Sequence, residues 1–318
     1  MRRSASSVIV SIGLLFSFLI VAAAQTTPNE HPKRAAALQA LVENAARTTI
    51  ERFSDRKFAA DNLSITLIDL TEKGQPVQAS FRGNERIYPA SVSKLFFLVA
   101  VHRWLEDKKI EETPELRRAV RDMIVDSSNE ATQYIVDVLT QTTGGYELPP
   151  QEMVEWQHRR NAVNRYFRSL GYSNINVNQK TFCEDAYGRE RVSRGPNGEN
   201  RNMLTTDATA RLMMEIATGK AVTPERSALM MELLKRDHTK KSSDSQAHDF
   251  SAPALAGRES ARLWSKAGWT STTRHDAAYV ELPSGKKFVL VTFTTNHSRE
   301  REIIPTVARE IIEGLNTQ

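Results

Sequence analysis

The sequence predicts a mixed α/β (α+β) domain: an antiparallel sheet built from both ends of the chain and flanked by the terminal helices, with an all-α lobe inserted between them. Three observations predict it. Strand-like stretches occur only before residue 82 and after residue 261. From Ser91 to about Leu170 nothing reads as strand. Each end of the chain also adds a helix-like segment outside its strands. The expected boundaries are an α/β lobe of residues 33–86 plus 257–318 and an all-α lobe of 87–256.

Taken in order, Lys33 to Phe53 carries Leu38, Leu41, Val42, Ala45 and Ile50 at helical spacing. Leu63 to Leu70 alternates with period two, Glu72-Lys73-Gly74-Gln75 turns, and Pro76 to Phe81 returns as a second strand. Helices follow at Ser91–Leu105, Pro114–Val125 with Thr113 as N-cap, Glu130–Leu139, and Met153–Leu170 with Gly171 as C-cap. Asn174 to Asn202 is polar and poorly periodic, so it reads as a long loop. Helices resume at Thr206–Thr218 and Pro224–Leu234, before a second polar loop, Asp237 to Ser251. Arg262–Trp269, Ala277–Leu282 and Lys287–Thr295 read as strands. Ser298–Leu315 is the last helix, and Pro305 argues for a kink or a late start.

The first 24 residues read as a cleavable signal peptide: Met1-Arg2-Arg3 is positive, Val8 to Val21 is apolar, and Ala22-Ala23-Ala24 fits a cleavage site. That implies a periplasmic or secreted protein with no membrane attachment after cleavage. Removing Arg2 and Arg3 leaves 41 basic against 38 acidic residues, too even a balance for nucleic-acid binding. A single cysteine, Cys183, forbids an intramolecular disulfide and a cysteine zinc cage, and the seven histidines show no ligand spacing, so no metal or cofactor is implied.

The chemistry centres on Ile87-Tyr88-Pro89-Ala90-Ser91-Val92-Ser93-Lys94-Leu95-Phe96. Ser91 opens an apolar helix, where backbone N–H groups lack helical partners and favour negative charge. Lys94, three residues on, shares its face. A hydroxyl with an amine beside it suits nucleophilic attack, and the helix start can stabilise the resulting oxyanion. Ser-x-x-Lys also occurs at Ser54–Lys57 and Ser284–Lys287, but in charged or turn sequence. Only Lys94 is expected to be half buried.

Two further motifs occur once each: Ser127-x-Asn129 at a corner between helices, and Lys266-x-Gly268 on a strand. Ser127 could relay a proton and Asn129 hold a substrate amide, although both residue types also favour caps. Gly268 would let a substrate backbone lie close to the strand, and Lys266 would supply positive charge. Alone, each is better explained by ordinary capping or a solvated lysine.

Together and in this order, Ser91-x-x-Lys94, Ser127-x-Asn129 and Lys266-x-Gly268 resemble the class A β-lactamases and penicillin-binding proteins. The resemblance runs from about Lys33 to the C-terminus. It implies a β-lactamase-like fold with Ser91 as acyl-accepting nucleophile, Lys94 in its proton network, and Ser127 passing a proton to the leaving nitrogen. It implies Asn129 on the substrate side-chain amide and Lys266 attracting the substrate carboxylate. The N–H groups of Ser91 and Trp269 would form the oxyanion hole, with Gly268 and Thr270 lining the substrate. The implied partner is a small β-lactam or a peptidoglycan-derived peptide, the implied state a monomer.

The middle motif is Ser-Ser-Asn rather than the lactamases' usual Ser-Asp-Asn. The stretch from Ser91 to Ser127 is shorter than in typical class A enzymes and that from Asn129 to Lys266 longer. Two further departures bear on the chemistry. Ala267 stands where the family has Thr or Ser, so one hydroxyl for the carboxylate is missing; Thr270, Ser271, Arg274 and His275 are candidates to replace it, and the sequence does not choose among them. The glutamate motif that activates water is also absent. Its candidates are Glu184 and Asp185, with Glu190 behind them. Without such a base the acyl-enzyme would persist, as in a D-alanyl-D-alanine peptidase or penicillin-binding protein. A catalytically silent cell-wall-binding module is the remaining alternative.

Overall fold

The computed structural model describes residues 30–182, 185–240 and 242–317. The expected signal peptide and Glu184 lie outside the described residues. Six strands form one antiparallel sheet in the order β2-β1-β6-β5-β4-β3. They are β1 (Leu63–Asp69), β2 (Val77–Phe81), β3 (Lys235–Arg236), β4 (Arg262–Trp269), β5 (Thr273–Glu281) and β6 (Lys287–Thr295). Strand β1 pairs with β6, Ile65 opposite Thr292, so the two ends of the chain share the sheet.

Alternation along the strands builds two cores. Leu63, Ile65, Leu67, Ala278, Val280, Phe288 and Leu290 face one way. They pack on Leu38, Val42 and Ala45 of α1 (Glu30–Arg52) and on Val307, Ile311 and Leu315 of α11 (Ile303–Thr317). Ile68, Ala277, Tyr279, Val289, Val291 and Phe293 face the other way, into a larger core shared with the helices. Those helices are α2 (Lys94–Glu106), α3 (Pro114–Ile124), α4 (Asn129–Thr140), α5 (Pro150–Arg160), α6 (Ala162–Ser169), α7 (Gly188–Arg194), α8 (Thr206–Ala217), α9 (Pro224–Leu234) and α10 (Ser245–His248).

Helix α2 is the axis of this second core. Lys94 to His102 are all buried without a break, the pattern of a helix apolar all round. Each of Leu95, Phe96, Phe97 and Leu98, fully buried, contributes roughly 1.5–3 kcal/mol. That packing fixes the place of the helix start. Helix α3 begins with Pro114 and is capped by Thr113, whose hydroxyl accepts from Leu116 N, as the sequence predicts.

Several elements differ from expectation. The start of α2 is preceded by a separate 3₁₀ turn, Ala90–Ser93. The segment read as one helix, Met153–Leu170, breaks at Asn161 into α5 and α6. Strand β3 is too short, at two residues, to leave a periodic signal. Pro305 sits in the first turn of α11, so the late start is the correct alternative, and no kink is needed.

The Asn174–Asn202 segment is the largest difference. It holds α7 and a bridge between Asn176 and Met203, and it is fixed by side-chain amides. Asn164 Nδ2 donates to Asn161 and Asn176 oxygens at 2.6 Å each. Asn176 Nδ2 donates to Asn200 Oδ1 at 2.9 Å, and Asn202 Oδ1 accepts from the backbone N–H of Asn178 and Gln179. The asparagines substitute for a strand ladder by satisfying buried backbone groups directly.

Candidate active site

The 3₁₀ turn brings Ser91 and Lys94 onto one face. Lys94 N donates to Ser91 O, and residues three apart eclipse in this geometry. Ser91 is half-buried, whereas Lys94 is completely buried rather than half-buried as expected. The Lys94 amine is taken up by the α3–α4 corner: Nζ donates to Ser127 O at 2.5 Å, Asn129 Oδ1 at 2.9 Å and Ser127 Oγ at 3.2 Å. Ser127 sits at φ 57°, a left-handed conformation that turns its hydroxyl and carbonyl toward this amine. Capping is the work of its neighbour: Ser128 Oγ accepts from Ala131 N at the start of α4.

The third motif closes the cluster from the sheet. Lys266 Nζ donates to Ser127 Oγ at 3.0 Å, so both lysines meet on one hydroxyl. Lys266 is fully buried, not solvated. Burial, then the neighbouring Lys94 and Arg236 charges, hold its pKa well below the ordinary lysine value. Gly268 lies against the 3₁₀ turn: a Cβ there would fall 2.7 Å from Pro89 O, 2.8 Å from Ser91 N and 2.9 Å from Val92 N. Absence of a side chain is therefore what lets the β4 backbone approach Ser91. Trp269 follows, 46% exposed, with its ring 5.8 Å from that of Phe250.

Sequence reasoning missed Gln246. It lies in α10, within the stretch expected to be a polar loop, behind the N-cap Asp244. Its Oε1 accepts from Lys266 Nζ at 2.7 Å and from Ala267 N at 3.1 Å, and its Nε2 donates to Val125 O at 3.1 Å. Gln246 thus ties β4 to the corner that carries Ser127. Arg236 of β3 does the same, donating to Ser265 O and Ile124 O. No spacing rule marks either residue, because their partners are backbone atoms remote in sequence.

Among the residues proposed to replace the hydroxyl lost at Ala267, two are committed elsewhere. His275 shares its ring nitrogens with Tyr88 O at 2.9 Å and with Thr294 N, and burial lowers its pKa to about 4. The Thr270 hydroxyl accepts from Thr272 N and Thr273 N in the β4–β5 turn. Arg274 and Ser271 instead line a cavity of about 460 Å³ with Trp269, Thr270, Arg299 and Arg301. Arg274 is buried beneath the Phe250 ring, and its Nε and Nη2 meet no hydrogen-bond partner among the described residues.

The water-activating candidates fare differently. Glu190 is buried against Arg160 at 2.6 Å and Lys180 at 3.3 Å, and Asp137 of α4 pairs with both cations. Asp137 lies eight residues along α4 from Asn129, roughly 12 Å at 1.5 Å per residue. The Glu190 carboxylate is thus held by two buried cations. Asp185 is exposed and pairs with Arg194 at 2.6 Å, which lowers its pKa. No group of three or more metal-ligating side chains occurs among the described residues, nor is any described helix long and apolar enough to cross a membrane.

A two-core α/β molecule with two buried lysines converging on one hydroxyl beside a helix-start serine has the build of a serine hydrolase. The chain belongs to the beta-lactamase enzyme family, whose model matches residues 104–315. That match begins beyond Ser91 and Lys94. The β-lactamase of Sphaerobacter thermophilus is similar in structure, with a TM-score of 0.62 and 18% identity over 89% of this chain and 98% of that one. So is the β-lactamase of Chitinophaga pinensis, at 0.59 and 17% over 85% and 99%. A third, PBP-A, gives 0.59 and 18% over 86% and 97%; a variant of it is solved as an acyl-enzyme complex with penicillin G. No protein of curated function matches by sequence.

Proposed function

We propose that this protein is an exported hydrolase that opens a β-lactam amide, or a related acyl bond, through an acyl-Ser91 intermediate. The observation that carries the reading is the meeting of Lys94 and Lys266 Nζ on Ser127 Oγ, at 3.2 and 3.0 Å. In this scheme Ser91 Oγ attacks the carbonyl carbon and its proton passes to the Lys94 network. The oxyanion is held by the N–H groups of Ser91 and Trp269. The carbon–nitrogen bond breaks as Ser127 delivers a proton to the leaving nitrogen and is reprotonated from the lysines. Asn129, its oxygen on Lys94, offers its NH₂ to the substrate amide. Lys266 and Arg274 attract the substrate carboxylate, Arg274 compensating for Ala267. Water then cleaves the ester, with Glu184 as the proposed activator. The leader-like first 24 residues support export.

A second reading, a D-alanyl-D-alanine peptidase or penicillin-binding protein with a long-lived ester, is favoured by one observation. Glu190 and Asp185 are both engaged in ion pairs. Intact-mass measurement with a penicillin and a chromogenic cephalosporin tests both. Rapid turnover lost in Ser91→Ala supports the hydrolase, and a stable adduct on wild type alone supports the second reading. No adduct and no turnover, with either compound, defeats both and leaves a silent binding module. Glu184→Gln is expected to prolong the adduct at least tenfold; an unchanged lifetime removes Glu184 from the scheme.

A further inference from the structure

Trp269 and Thr270, next in the chain after Gly268, form one wall of the cavity of about 460 Å³. Three guanidiniums line that cavity, from Arg274, Arg299 and Arg301, against a single carboxylate, Asp249. Asp249 Oδ2 stands 4.0 Å from Arg274 Nη2 and 4.0 Å from Arg301 Nη1, too far for a hydrogen bond to either. Arg299 enters no ion pair among the described residues. The lining therefore has a clear positive excess. Arg274 is the inner wall. It is 6% exposed, with Nε and Nη2 sealed, which leaves Nη1 as the nitrogen open to the cavity. Arg301 is near enough for its charge to act against that of Arg274. Like charges gathered with too few counter-ions are relieved by an anion, and a guanidinium pairs with a carboxylate or sulfonate through parallel N–H groups.

We propose that this cavity is a second anion subsite, and that the preferred substrates of the Ser91 site carry two anionic groups on the leaving-group side. The inference rests on the acyl-Ser91 reading, in which Lys266 and Arg274 take the first carboxylate. With Arg274 so engaged, Arg299 and Arg301 still face the same cavity with only Asp249 to balance them. In a cephalosporin the ring carboxylate and the C3 substituent sit on adjacent carbons. An acid on that substituent therefore lies beside the first carboxylate, where these two arginines can meet it. In a peptide the equivalent is an acidic side chain on the C-terminal residue.

Cefamandole and cefonicid test it, because they differ only in the C3 substituent, whose tetrazole bears a methyl in the first and an anionic sulfomethyl in the second. Dissociation constants are measured by calorimetry on Ser91→Ala, where no ester can form, and acylation rates on the wild type. At low ionic strength cefonicid should bind and acylate about fivefold better than cefamandole, or more, and added salt should shrink the advantage. Arg299→Gln combined with Arg301→Gln should bring the ratio close to one. Arg117→Gln combined with Arg118→Gln, which removes equal charge from the exposed face of α3, should leave the ratio as it is. Equal handling of the two compounds by the wild type, or a preference that survives loss of Arg299 and Arg301, overturns the proposal and leaves acylation at Ser91 standing. If neither compound binds or acylates, the Ser91 reading falls and this inference falls with it.

Discussion

Gly268 and the buried histidines show how much single residues decide in this molecule. A Cβ on Gly268 would strike three backbone atoms of the Ser91 turn, and backbone cannot swing aside as a side-chain tip can. Gly268→Ala should therefore move Ser91 relative to the lysines, lowering acylation by about 100-fold while leaving most of the fold intact. Acylation rates and the far-ultraviolet dichroism of the variant check this. His102 and His275 carry a second consequence. Both have folded pKa values near 4 against an ordinary 6.5. An unfolded chain binds those protons below pH 6.5 and the folded chain does not, so their contribution is complete above pH 6.5. It is lost as pH falls toward 4, by up to about 3 kcal/mol for each histidine. Urea midpoints should fall across that interval, and less steeply in His102→Leu.

At the scale of elements, the segment between Asn174 and Asn202 is where sequence and structure part. Its composition reads as a loop because asparagine is a poor helix and strand former. The same amides bond backbone and one another across gaps of 12 to 24 residues, which no local window records. By contrast, α3 was legible to its cap, because Pro114 and Thr113 act on neighbouring backbone. The charge cluster Asp137–Arg160–Lys180–Glu190 anchors the segment to α4 and α5. Arg160→Met should leave Glu190 buried with one cation fewer and cost about 3 kcal/mol. Hydrogen exchange should quicken across residues 174–202 far more than in β5 and β6. Uniform quickening would mean that the cluster serves the whole fold rather than this segment.

For the molecule as a whole, the order of elements predicted the architecture well, because strands confined to the two ends must meet somewhere. The Ser91, Ser127 and Lys266 motifs likewise pointed to one place. What stayed hidden were the partners that hold them there, Gln246 and Arg236, whose bonds depend on tertiary contact alone. The pairing of β1 with β6 has one more consequence, which concerns birth rather than catalysis. Leu63 finds its neighbour Thr294 only when almost the entire polypeptide has been made. Until then the first hairpin and α1 have an uncovered greasy side and nothing to lay it against, and contacts so distant in sequence form slowly. Ribosome-bound fragments ending before Lys287 should stay open to protease throughout, and resistance should arrive abruptly once β6 and α11 are free of the exit tunnel. A chain that delays its own closure in this way remains threadable for as long as it is being written.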